Sequence, residues 1–212
     1  WAGILNIPGL TGYFGLRNVG LAKAGDTVLI SSAAGPVGAT AGQIARIMGC
    51  KVIGIASGEE RKRWLLDEAK FDAVIDRRDG PDIESLSAQI GKVAPDGIDV
   101  YFDNVGGEHL DAAFATANDF ARFAMCGMID VYNDGKAQEM KYLIRSIPAR
   151  IRMEGFIYTD QFIDCMEEFY ADMGGLIASG AVTIRETVHA GLEAAPDAFL
   201  GLFKGANMGK ML

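Results

Sequence analysis

The 212-residue chain is short of the residues that build disulfide and metal frameworks. It has three cysteines and two histidines. Cys50, Cys126 and Cys165 are odd in number, far apart, and form no CxxC pair, so neither a disulfide scaffold nor a zinc knuckle is expected. His109 and His189 are too far apart in sequence to suggest a ligand pair, and no metal site is expected. Free cysteines point to a reducing, cytoplasmic setting. Basic charge is also scarce: 20 Lys and Arg face 28 Asp and Glu, a net charge of −8. An acidic surface of this kind excludes general binding to a phosphate backbone, so no nucleic-acid partner is expected. No apolar run is clean enough for a membrane span. The charge-free stretch Thr27 to Ala45 is broken by Ser31, Ser32, Gly35, Pro36, Gly38, Gly42 and Gln43. There is no basic leader ahead of an apolar segment. Without an initiating Met, the opening Trp1-Ala2-Gly3 reads as part of something longer.

What the chain does have is glycine, 27 residues with no triplet period, and 50% hydrophobic residues. Disorder and collagen are thereby excluded. Short β-branched runs alternate with helical periodicity. Strands are expected at Thr27–Ser31, Lys51–Ile55, Ala73–Asp76, Ile98–Asp103, Ala121–Met125 and Arg152–Ile157. Helices are expected over 37–48, 60–70, 82–93 and 108–116, and near Glu139–Ser146 after a loop centred on Asn133-Asp134-Gly135. One long helix is expected over Asp160–Ala178, a strand over Val182–Val188, and a helix over Pro196–Lys204. A strand begins at Lys210-Met211-Leu212. Such alternation predicts an α/β fold, a doubly wound parallel six-stranded sheet of the Rossmann type with extra C-terminal helices.

Ala33-Ala34-Gly35-Pro36-Val37-Gly38 joins the first strand to the first helix. It is the G-x-G-x-x-G dinucleotide turn with Ala33 in the first position. Gly35 would admit a pyrophosphate and Gly38 would let helix and strand approach closely. An ordinary strand–helix turn would also fit. The second strand ends Ala56-Ser57-Gly58 without the acid that holds a ribose 2′-hydroxyl in NAD binders, and Arg61 follows. Ser57, Gly58 and Arg61 therefore favour NADP, with hydroxyl, N–H and guanidinium donors for a 2′-phosphate. Alternatively, Arg61 lies on a solvated helix face. S-adenosylmethionine folds share a glycine turn but prefer an acid at that strand end. Asn104, in Asp103-Asn104-Val105-Gly106-Gly107, faces the ligand crevice, either holding the nicotinamide end or capping the next helix.

Several segments together resemble the zinc-independent medium-chain dehydrogenase/reductase superfamily, and within it the NADPH-dependent alkenal/enone reductases. They are Pro8-Gly9-Leu10-Thr11-Gly12-Tyr13-Phe14-Gly15, the Ala33–Gly38 turn, Pro95 to Gly107, Cys126-Gly127, Tyr132-Asn133, Met153-Glu154-Gly155-Phe156 and Gly205 to Lys210. That family includes prostaglandin, curcumin and plant double-bond reductases. The resemblance implies hydride transfer from NADPH to the β-carbon of an α,β-unsaturated ketone or aldehyde, without metal. It implies that Gly35, Val37 and Gly38 line the pyrophosphate, and that Arg61, with Ser57 and Gly58, holds the 2′-phosphate. Arg77, where relatives often have Tyr, would add positive charge there. Thr11, Asn104, Cys126, Phe156 and Asn207 would surround the nicotinamide half. Tyr132 would donate a hydrogen bond to the substrate oxygen, or be a loop aromatic at a dimer edge. The family's N-terminal barrel-like (GroES-like) substrate domain has no counterpart here. The expected organisation is a connecting helix in 1–22, a dinucleotide-binding domain in 23–158, and C-terminal helices with the start of a returning strand in 159–212. The edge strand 152–157 is expected to pair two chains as a homodimer, unless the 160–178 helix covers it. Quinone reduction with the same cofactor, or cofactor binding without catalysis, are the other functional readings.

Overall fold

The computed structural model describes residues 3–80, 82–132, 138–203 and 205–212. Six strands form one parallel sheet in the order β3-β2-β1-β4-β5-β6: β1 Thr27–Ile30, β2 Lys51–Ala56, β3 Ala73–Asp76, β4 Ile98–Asp103, β5 Ala117–Met125 and β6 Arg152–Gly155. This is the doubly wound order expected from the sequence. Period-2 alternation sends Val28 and Ile30 to one face and Leu29 to the other. Each face has its own apolar core. Leu29, Ile53, Ile55, Tyr101 and Phe123 meet α4 (Ile83–Val93) and α5 (Gly107–Thr116). Val28, Val52, Val100 and Phe102 meet the opposite layer, built from α1 (Ile7–Phe14) and α2 (Pro36–Ile47). Between β2 and β3 lies α3, Glu59–Asp67.

Local chemistry sets the element ends. Pro36 occupies the first turn of α2, where its missing N–H costs nothing, and Gly49 follows the helix at φ 84°. A reciprocal box between Asp82 and Ser85 starts α4. The π-helical turn Gly15–Val19 continues α1, and the two helices α1 and α2 touch closely. A Cβ on Gly12 would lie 2.6 Å from the Val37 carbonyl oxygen, so only glycine permits that approach.

Four expected elements differ. The helix near Glu139–Ser146 is only a 3₁₀ turn, Leu143–Ser146. The backbone N–H groups of Lys141 and Tyr142 instead donate to the buried Asp111 carboxylate, both at 2.7 Å. The long helix over 160–178 is broken into α6 (Tyr158–Gln161), a 3₁₀ turn (Ile163–Cys165) and α7 (Met166–Ala178). Phe162 turns inward at the break and stacks on Phe14, ring centroids 5.0 Å apart, so packing overrides helical period. Strand β6 stops at Gly155 because Phe156 leaves the edge for the core. The strand expected over 182–188 pairs only at β7, Glu186–Thr187, with β8, Lys210–Met211. Upstream of it, the buried Gln43 side chain does a strand's work, accepting from Thr183 N (2.7 Å) and donating to Thr183 O (3.1 Å). The final helix α8 runs Ala195–Phe203. The loop centre Asn133-Asp134-Gly135 lies outside the described residues.

Candidate functional site: a dinucleotide cleft at the strand ends

Strand β1 and its neighbours end on one rim, and a cleft of about 550 Å³ opens there. Its wall includes Ser32, Ala34, Gly35 and Pro36 from the glycine turn, and Ala56 and Ser57 from the end of β2. Arg77, Val105 and His109 follow the ends of β3 and β4, and Gly205 and Asn207 come from the C-terminal segment.

The turn is tight for reasons its residues show. Ser32 takes a left-handed φ of 50°, which a residue with a Cβ adopts at a cost of roughly 1–2 kcal/mol. A Cβ on Gly38 would sit 2.6 Å from the Ser32 carbonyl oxygen and 3.0 Å from Ala33 Cα. Gly38 is therefore what lets α2 begin against the turn. Ala33 is tolerated in the first motif position because the space opposite is empty: a Cβ on Gly54 would come within 2.8 Å of Ala33 Cβ. Val37 and Gly38 fall in the first turn of α2, where backbone N–H groups have no intrahelical acceptor and the helix dipole is positive. This donor set and the glycine clearance suit a pyrophosphate.

At the end of β2, the expected 2′-phosphate residues are partly engaged elsewhere. The Gly58 N–H donates to Asp76 Oδ2 at 3.1 Å, so it is not the free donor expected. Arg61 donates to Ser57 O and Asn207 O, each at 2.8 Å, and to Gly205 O. Rather than lying on a solvated face, its guanidinium straps the 205–207 segment to the β2–α3 turn, with Nε–H and one Nη1–H left over among the described residues. Arg78 grips Asp76 through two nitrogens and holds that carboxyl well below the usual range. Arg77 donates to Gly80 O and pairs with Glu108 on the cleft wall.

At the other end, Asp103 is fully buried. Its Oδ1 accepts from Ser31 Oγ (2.9 Å), Tyr101 OH (2.8 Å), and Val105 and Gly106 N (2.9 Å each); Oδ2 has no partner among the described residues. Burial raises its pKa. Ser31 in turn accepts from Asn104 N and Nδ2, both at 2.8 Å, which fixes Asn104 at the mouth of the β1–β4 crevice. The Cys126 thiol is pushed up to about 12 by burial and then by Asp103, which keeps it protonated and unreactive. Tyr132 is 65% exposed; its hydroxyl accepts from Met128 N at 3.0 Å and keeps its own proton to donate. Asn207 lines the cleft and donates to Gly209 O.

Two expected nicotinamide neighbours face elsewhere. Thr11 is buried in α1 and its hydroxyl donates to Ile7 O. Phe156 sits in the core, edge-on to Phe102 at 6.0 Å. Sequence reasoning also missed Asp76, the Asp103 network and His109, which come near the cleft only because the ends of separate strands meet on one rim.

The family model described as "Zinc-binding dehydrogenase" matches residues 36–174. The chain belongs to that family. It is 43% identical to a putative NADP-dependent oxidoreductase, YfmJ, of Bacillus subtilis, over 100% of this chain and 62% of that protein. It is 40% identical to a tobacco 2-alkenal reductase (NADP⁺-dependent), over 100% of this chain and 61% of that protein. Among solved structures, CurA from Vibrio vulnificus in complex with NADPH superposes with a TM-score of 0.92 at 42% identity, covering 99% of this chain and 62% of that one. The chain thus spans about three-fifths of the length of these relatives. Despite the family's description, no group of three or more His, Cys, Asp or Glu among the described residues could hold a metal, so these residues do not fit zinc. No helix among them is long and apolar enough to cross a membrane.

Proposed function

We propose that this chain is the NADP(H)-binding part of a cytoplasmic, zinc-independent oxidoreductase that reduces the C=C bond of α,β-unsaturated aldehydes and ketones. One observation carries the reading. The cleft at the strand ends combines a glycine turn and free helix-start amides with a β2 end that bears Ser57 and Arg61 instead of an acid. The NADPH-bound CurA, with the same fold at 42% identity, supports the cofactor, and the alkenal reductase supports the substrate class.

Bound NADPH would supply the hydride for the substrate β-carbon, with a proton from solvent completing the reduction at the α-carbon. The Val37 and Gly38 amides and the α2 dipole hold the pyrophosphate. The Ser57 hydroxyl and the uncommitted Arg61 N–H groups would receive the 2′-phosphate, while Arg61 fastens the backbone of Asn207 to the cleft wall. Asn104, immobilised through Ser31 and Asp103, orients the nicotinamide end beside Cys126. Tyr132 donates its hydroxyl proton in a hydrogen bond to the substrate carbonyl oxygen, where negative charge grows as hydride arrives; such a donor lowers the barrier more than it tightens substrate binding.

Substrate closure belongs to the remainder of the longer protein. We assign residues 1–22 to the connection with that part, 23–158 to the dinucleotide domain and 159–212 to the returning segment. The exposed edge of β6 supports a homodimer: Met153 is 52% exposed, and a bare edge invites pairing. The test is NADPH consumption by the full-length protein with 2-alkenals, enones and quinones. Turnover of enals and enones above quinones is expected. Preference for quinones would replace this reading with a quinone reductase, and no turnover of any acceptor would leave a binding module.

A further inference from the structure

One end of the cleft has a wall that the roles above leave unassigned. Arg77 follows β3 and His109 lies in the first turn of α5 after β4, with β2 and β1 between those strands. The two side chains line the same cleft across the ends of β2 and β1, together with the apolar Val105 and Ile129. Arg77 is fixed there by Gly80 O and by Glu108, the residue preceding His109. His109 has no such anchor. Neither ring nitrogen has a hydrogen-bond partner among the described residues, although the ring is mostly buried. The ring lines the cleft and is not sealed from it, so a ligand seated there can meet both nitrogens. Burial, and then the charge of Arg77, lower the His109 pKa to about 4. At neutral pH the ring therefore offers one donor and one acceptor.

A slot with apolar walls and a neutral donor–acceptor at its rim suits a fused heteroaromatic base: apolar faces, polar edge. A phosphate could take Arg77 and one imidazole N–H but would set its negative charge against the acceptor nitrogen of the ring, and a purely apolar group would leave both imidazole nitrogens unmet. We propose that His109 recognises adenine through the edge that carries its 6-amino group, with Arg77 closing the slot. His109 is then a specificity-determining residue for the base of the dinucleotide. The inference rests on the NADP(H) reading.

Calorimetric titration of this chain with NADPH and with 1,N6-etheno-NADPH tests it. The etheno bridge removes the amino hydrogens and leaves phosphates, riboses and nicotinamide unchanged. Wild type should bind the etheno cofactor roughly tenfold more weakly, about what one hydrogen bond and its unmet partner are worth. His109→Ala should weaken NADPH and bring the two cofactors within about threefold. His109→Phe refills the slot with a ring that lacks nitrogens, and should lose the same discrimination while unfolding near the wild-type temperature. A general loss of stability lowers both affinities and leaves their ratio alone. Equal binding of both cofactors by wild type, or a full ratio retained in His109→Ala and His109→Phe, would overturn the proposal. If wild type bound neither NADPH nor 2′,5′-ADP, it is the cofactor reading beneath the proposal that would fall.

Discussion

Replacing Gly38 by Ala pits helix propensity against the geometry of the glycine turn. Alanine in a helix is worth about 1 kcal/mol over glycine. At position 38 the new Cβ would lie 2.6 Å from Ser32 O and 3.0 Å from Ala33 Cα. Both obstacles are backbone, so relief requires the turn or the start of α2 to move. Forced insertions of a carbon into a filled space cost about 1–3 kcal/mol, and this one falls at the top of that range or above it. The net expectation is a loss of about 2 kcal/mol or more, a fall in Tm of at least about 4–8 °C for a chain of this size. Gly91 in α4 is the matched control, because a Cβ there meets nothing within 4 Å. Gly91→Ala should gain about 0.5–1 kcal/mol. Calorimetric melting of both variants and NADPH titration of each form the assay. Gly38→Ala should also bind NADPH at least about tenfold more weakly, since the α2 amides shift from the pyrophosphate and charge-assisted contacts are worth about 1.5–3 kcal/mol. Gly38→Ala melting as high as Gly91→Ala, with NADPH binding intact, would refute the reasoning.

Arg61→Ala should reduce the NADPH-over-NADH preference by about tenfold or more, as one charge-assisted contact to the 2′-phosphate disappears; an unchanged affinity ratio in calorimetry would assign that phosphate to other residues. The folded-state pKa of His109 lies near 4 against an ordinary 6.5, so the unfolded chain takes up this proton first. Stability from this site is full above about pH 6.5 and falls as the pH drops toward 4, with about 2 kcal/mol lost by pH 5. Chemical denaturation across that range should show a shallower decline in His109→Phe than in wild type, and parallel curves would contradict the assignment. Light scattering at micromolar concentration should give twice 22.6 kDa, and Met153→Lys on the β6 edge should return the chain to 22.6 kDa; a wild-type monomer would reject pairing through that edge.

Local signals carried most of the fold. Strands β1 to β4 are short, mainly apolar runs closed by glycine or a polar turn, and a right-handed crossover leaves little choice of order once strand and helix alternate. The failures have a common physical cause. Nothing near Phe162 in sequence says that Phe14 will stack on it and break a helix, and nothing near Lys141 announces the Asp111 carboxylate that claims its N–H. The site divides in the same way. The glycine turn is legible because its clearance is a matter of six consecutive residues. The Arg61 strap depends on carbonyls more than 140 residues away, and the Asp103 network joins two strands. His109 was weighed in the sequence as a metal ligand; its place on the cleft wall appears only when the β3 and β4 ends are brought to one rim.

The central claim is that the cleft is built for NADP(H). Calorimetric titration of this chain with NADPH and NADH at fixed ionic strength tests it most directly. The account predicts one site per chain and NADPH binding about tenfold or more tighter than NADH, the worth of charge-assisted contacts to the 2′-phosphate. Equal affinities, or no binding of either cofactor, would contradict it.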